Sequence, residues 1–123
     1  AYEISTRDWS SDVCSSDLSA AEKGAGRFPQ LSGMTVRYDP ARPAGQRVTR
    51  ALIGGKPVEA VRRYRLATID YLAAGGDDYA ALAKAKVVID SSGGPLLANV
   101  VMEHIQALGT ISPRVEGRVA AGR

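Results

Sequence analysis

The sequence predicts an α+β domain, a mixed sheet with flanking helices, and three observations lead there. Short runs at 34–38, 48–53 and 62–68 alternate apolar with polar residues or are rich in strand formers, the marks of β-strands. A longer run over 95–108 repeats its apolar residues at helical spacing. The two kinds of element mix without a strict strand–helix–strand alternation, which points away from a doubly wound α/β fold. At 123 residues the chain has room for one domain, since a domain takes about 100–200 residues. With 45% apolar and 24% charged residues, disorder of the whole chain is not expected. No apolar run approaches the ~20 residues that cross a bilayer as a helix. One Cys excludes a disulfide framework and a Cys-based zinc site, and one His argues against a complete metal centre.

Charge is unevenly spread. Sixteen basic and 13 acidic residues give a formal net charge of +3. Residues 1–18 set Arg7 against Glu3, Asp8, Asp12 and Asp17, a net −3, which leaves +6 on the rest. A basic body suits an anionic ligand such as a phosphate, a nucleotide or a polyanion, although a soluble surface alone accounts for the same excess.

Asp8–Leu18 is rich in Ser and Asp, follows neither a strand nor a helix period, and holds the only Trp and the only Cys, Trp9 and Cys14. It has neither the basic start nor the apolar run of a signal peptide. The string resembles the conceptual translation of a sequencing-library adapter, and a scar of that kind is excluded from fold reasoning. Residues 1–18 are therefore expected to be disordered, with no origin assigned to 1–7; a genuine acidic linker is the alternative. Residues 19–27 are expected to be a loop and 28–123 the domain, whose natural sequence is expected to start near Ser19 and to extend further upstream.

From residue 28 the pattern tightens. Met34, Val36 and Tyr38 alternate with Thr35, Arg37 and Asp39 as in a half-buried strand, which Asp39-Pro40 ends because Pro has no N–H to give a ladder. A loop over 41–46 leads to a second strand at 48–53 and a Gly54-Gly55 hairpin turn. A third strand over 62–68 has Tyr64, Leu66 and Thr68 on one face, with Arg63 and Arg65 on the solvent side. Residues 79–84 make one or two helical turns, and the run 86–90 is short and rich in β-branched residues, as in a strand. Ser91–Gly94 is a turn. Pro95 is placed at the first helical position of a helix over 95–108, stopped by Gly109. His104 falls on that helix's apolar side and is read as a packed or edge residue. A last strand is expected at 115–119.

The stretch Ala67–Tyr79 carries the chemistry. It places an aromatic, Tyr71, just after a strand, then a diglycine loop, Gly75-Gly76, then a carboxylate, Asp77. An aromatic face can stack on a base. Glycines allow close backbone approach. An ionised carboxylate only accepts hydrogen bonds, so it suits the hydroxyls of a ribose. Spacing alone leaves open a tight turn with Tyr71 in the core.

Four segments together resemble the C-terminal domain of the 5′-nucleotidase family: Gln30–Val36 with Tyr38-Asp39, Arg42–Val48, Thr68–Tyr79 and Pro113–Val119. The resemblance implies that Tyr71 stacks on the base where the family usually has Phe, and that Asp77 binds the ribose hydroxyls beside Gly75 and Gly76. Asp78 stands where Gly is common, and Ile69 replaces a usual Asn. The resemblance also implies two divalent metal ions, held by an N-terminal metallophosphatase domain in the parent chain and not by this one. The expected function is that of a truncated, substrate-binding part of a hydrolase that removes phosphate from nucleotides, inactive alone and with no catalytic or metal residue of its own. Its expected partner is a nucleoside monophosphate or a related small molecule, not a nucleic acid or a membrane, and its expected location is periplasmic or extracellular. The alternatives are a stand-alone nucleotide-binding or interaction module without catalysis, or the same family acting on cyclic nucleotides, nucleotide sugars or thiosulfate.

Overall fold

The computed structural model describes residues 2–5, 28–59 and 61–122. In chain order the elements are β1 (Tyr2–Ser5), β2 (Met34–Tyr38), β3 (Val48–Ile53), β4 (Lys56–Pro57), β5 (Arg63–Leu66), α1 (Asp70–Ala73), a 3₁₀ turn (Gly76–Asp78), α2 (Ala80–Ala83), β6 (Lys86–Val87), α3 (Leu97–Leu108) and β7 (Val119–Ala121). They form two sheets, β4-β3-β2-β7 and β5-β1-β6. The first is mixed, because β2 pairs antiparallel with β3 and parallel with β7. This is the α+β architecture that the sequence predicts.

Local chemistry explains the larger sheet. Alternation in β2 sends Met34 and Val36 inward, where they are 9% and 6% exposed. Gly54 and Gly55 both take positive φ, 56° and 78°, which makes the tight β3–β4 turn possible without steric cost. Ile53 faces Lys56 and Leu52 faces Pro57 across it. The closing segment docks on the other side of β2. The Val36 amide donates to the Arg118 carbonyl at 2.7 Å, and Arg37 Nη1 donates to the Gly117 carbonyl at 2.9 Å. Gly117 turns there with φ 65°, and Arg118 donates to the Leu31 carbonyl.

Several boundaries differ from the sequence expectation. Tyr2–Ser5 forms the central strand of the smaller sheet, with Tyr2 opposite Leu66 and Glu3 opposite Arg65, so disorder does not extend over these four residues. A strand between two partners has its backbone groups paired on both edges, and that tertiary pairing outweighs the weak four-residue signal. The adapter-like string at 8–18 and the loop expected at 19–27 lie outside the described residues. In the run 86–90 only Lys86 and Val87 pair, with Glu3 and Tyr2. The last strand begins at Val119, and Val115 is fully exposed. Helix α3 begins at Leu97, not Pro95, because Leu96 is extended (ψ 133°) at the N-cap. Gly109, at φ 74°, ends it as expected, its amide donating to the Ile105 carbonyl at 2.9 Å. The apolar residues of α3 are not buried, and His104 is exposed, not packed.

The turn between β6 and α3 is tied by one side chain. Asp90 Oδ1 accepts from the Ser92 hydroxyl at 2.6 Å, the Ser92 amide at 3.0 Å and the Gly93 amide at 3.1 Å. These bonds, the Ser92 hydroxyl first, hold the Asp90 carboxyl below its ordinary pKa. A depressed folded pKa means that the turn is supported above the ordinary aspartate range and loses that support as pH falls through the lowered value. The amide proton shifts of Ser92 and Gly93 should follow this titration in an NMR pH series, with a midpoint below that of free aspartate. A midpoint at or above it contradicts the arrangement.

Candidate functional site

The site is one continuous piece of chain that leaves β5 and doubles back into α2. After Leu66 the chain runs to Ile69, which is extended and caps the single turn α1. Asp70 opens that turn, its Oδ1 accepting from the Tyr71 amide at 2.8 Å. The Ala73 amide donates to the Ile69 carbonyl at 3.0 Å, and the Ala74 amide to the Asp70 carbonyl at 2.9 Å. Asp70 is therefore a turn residue.

Three left-handed positions then help to reverse the chain. Gly75 has φ 90°, and a Cβ there would come within 3.3 Å of the Ala83 Cβ, so the glycine also lets the loop lie against α2. Asp77 and Asp78 follow with φ 54° and 65°. Asp is among the few residues other than Gly that take this region readily, which is how the turn survives Asp78 where a glycine is common. Replacing Asp78 with Gly removes the remaining strain and should raise stability by about 0.5–1 kcal/mol. An unchanged or lower midpoint in a urea titration of Asp78→Gly would show that the strain is absent.

Gly76 serves a different need. A Cβ built on it would lie 2.5 Å from Tyr71 Cζ, 2.6 Å from Cε1 and 2.7 Å from Cε2. Three nearly equal distances mean that it would sit over the ring face near the hydroxyl end, not beside the ring edge. The Tyr71 ring therefore rests with one face on the Gly76 backbone. The side chain is still 55% exposed, so the opposite face opens to solvent. Its hydroxyl donates to Asp77 Oδ1 at 3.0 Å. Tyr71 is not in the core, which answers the alternative that spacing left open.

Thus Tyr71, Gly76 and Asp77 meet, with Gly75 seated behind them. Behind Gly75, Ala81 and Leu82 of α2 are buried, each 6% exposed. The hydrogen bond between Tyr71 and Asp77 is not foreseen from the sequence; its only signal there is a tyrosine where a phenylalanine is usual. The arginines do not join this group. Arg62 lies over the Tyr64 ring, 5.5 Å from its centroid, and 3.5 Å from Glu59. Arg63 and Arg65 are exposed on β5, an edge strand of the smaller sheet. Among the described residues no three His, Cys, Asp or Glu come together to hold a metal ion. None of the described helices is long and apolar enough to cross a membrane.

A separate cavity of about 410 Å³ opens between the two sheets, lined by Leu31, Met34, Ile53, Tyr64 and Leu66 among others. None of its lining residues belongs to the Tyr71–Asp77 group. Gln30, Ser32 and Arg65 also line the cavity, beside this largely apolar wall.

Comparison with known proteins supplies the wider context. The family model of the 5′-nucleotidase C-terminal domain matches residues 10–84. A snake venom 5′-nucleotidase of Gloydius brevicauda is 33% identical over 105 residues, 79% of this chain and 18% of that protein. The trifunctional nucleotide phosphoesterase protein YfkN of Bacillus subtilis is 32% identical over 108 residues, 83% of this chain and 7% of that protein. The crystal structure of a 5′-nucleotidase precursor from Thermus thermophilus superposes with a TM-score of 0.81 at 25% identity, over 98% of this chain and 24% of that one. The chain thus spans less than a fifth of the length of these two curated relatives.

Proposed function

Because the chain belongs to the 5′-nucleotidase C-terminal domain family, we propose that it is the nucleoside-holding part of a hydrolase that removes phosphate from nucleotides. One observation carries the reading: a tyrosine ring backed on one face by Gly76 and open on the other, with a carboxylate at its hydroxyl end. The open face takes the base by stacking, worth about 1–3 kcal/mol in nucleic-acid binders. Asp77 keeps acceptor positions free for ribose hydroxyls, because a carboxylate offers about four lone-pair sites and Tyr71 takes one. The role of these residues is to bind and orient. Phosphate removal would fall to an N-terminal domain of the parent chain, where two divalent metal ions would supply the activated water. A relative from venom supports a parent that works outside the cytoplasm, in a periplasm or an extracellular fluid.

Calorimetric titration of the chain with adenosine tests this. Binding should be weak and should fall about 5- to 150-fold in Tyr71→Ala, the loss of one stacking contact. Asp77→Ala should cost about 1.5–3 kcal/mol, the worth of hydrogen bonds to a charged group. The chain alone should not turn over AMP with magnesium or manganese. Binding that ignores both substitutions contradicts the site, and robust AMP turnover contradicts the division of labour.

A further inference from the structure

We propose that the Tyr71 hydroxyl is a positioning group: by donating to Asp77 Oδ1 it fixes the carboxylate for recognition of a ribose, and so sets the preference for ribonucleosides over sugars that lack the hydroxyls. This rests on the nucleoside reading above and adds a role for one atom to it.

The argument begins with exposure. Asp77 is solvent-exposed, and an exposed carboxylate on a turn samples several χ angles unless something holds it. The hydroxyl supplies that hold at 3.0 Å. It is itself fixed, because the ring carrying it lies on Gly76, one residue before Asp77. Ring, backbone and carboxylate close a short loop in which each restrains the next. Asp77 also has a left-handed backbone, with φ 54° and ψ 33°. A bond of this kind aligns the carboxylate before the sugar arrives, so less rotamer freedom is lost on binding. A phenylalanine at 71 would stack as well but would leave Asp77 free to turn. The hydroxyl also takes one acceptor position, so competition with the sugar is the opposing effect. One lone pair of about four is a minor loss beside the alignment gained.

The experiment compares adenosine with 2′,3′-dideoxyadenosine, whose base is identical and whose sugar lacks both hydroxyls, on the full chain and on Tyr71→Phe. The readout is the ratio of the two affinities, which a merely structural effect on stacking would move equally in numerator and denominator. The ratio should exceed one in the unaltered chain and fall about three- to tenfold in Tyr71→Phe, the worth of one ordinary hydrogen bond. A ratio that stays the same or rises in Tyr71→Phe overturns the positioning role while leaving the nucleoside reading intact. A ratio of one, or no adenosine binding, in the unaltered chain overturns the nucleoside reading and the positioning role with it. Asp77→Asn supplies the control: a ratio that drops there but not in Tyr71→Phe locates recognition in Asp77 alone and also overturns the proposal.

Discussion

A Gly76→Ala chain should lose both stability and adenosine binding. Gly76 is outside the positive-φ set, so its backbone tolerates alanine; the difficulty is the Tyr71 ring. The three nearest atoms to the new methyl all belong to that ring, at 2.5–2.7 Å, closer than real Cβ atoms come to anything. The ring must swing off its seat into solvent, which breaks the hydroxyl's bond to Asp77, worth about 0.5–1.5 kcal/mol. With the ring displaced, the ~1–3 kcal/mol of base stacking goes too. A double-mutant cycle separates this from a general backbone effect. In a Tyr71→Ala background the same Gly76→Ala change meets no ring, so its cost should shrink, with a coupling energy of about 0.5–1.5 kcal/mol. Equal costs in both backgrounds, read by urea unfolding, contradict the contact.

Leu82→Ala should be the most damaging change among those that touch no ligand. Leu82 is 6% exposed in α2 and belongs to a small buried set with Met34, Val36 and Ala81. Truncating a buried Leu typically costs about 2–5 kcal/mol. Domains have only about 5–15 kcal/mol in total, and so small a buried set among the described residues leaves little to spare. The loss also reaches the site, because α2 is the surface against which Gly75 lies, next to Ala83. Leu82→Ala should therefore lower the thermal midpoint sharply and weaken adenosine binding as well. Leu108→Ala is the matched comparison: this leucine is 58% exposed at the end of α3, and its loss should change the midpoint little. Similar drops for both would show that α2 does not carry the core.

Much of the fold was legible because period and punctuation agree. Alternation marked β2, the Gly54-Gly55 pair marked the β3–β4 turn, and Gly109 marked the end of α3. The solvent face of β5 was legible, since Arg63 and Arg65 alternate with half-buried Tyr64 and Leu66. Misreadings fall where tertiary partners decide. Tyr2–Ser5 alternates over only four residues, and what orders it is pairing on both sides with β5 and β6. Val115 and Val119 look alike in sequence, yet only Val119 finds β2 alongside, opposite Val36. Apolar spacing in α3 indicates an amphipathic helix but says nothing of what covers it, and His104 followed the helix's exposed surroundings. In the site, the diglycine, the aromatic and the carboxylate were all visible as a set. What spacing cannot give is that Gly75 serves a left-handed backbone while Gly76 serves a ring lying on it. Nor does it show that Tyr71 and Asp77 meet directly, since that depends on the φ values of the turn between them.

The central claim is that the nucleoside sits on the open face of Tyr71 against Asp77, and a single NMR titration tests it most directly. Adenosine added to labelled chain should shift the amides of Tyr71 and of Gly75 through Asp78 together, along one saturable curve. Those lining the inter-sheet cavity, Ser32 through Met34 and Tyr64 through Ala67, should move little. Saturable shifts centred on the cavity, with Tyr71 and Asp77 unmoved, would contradict the account.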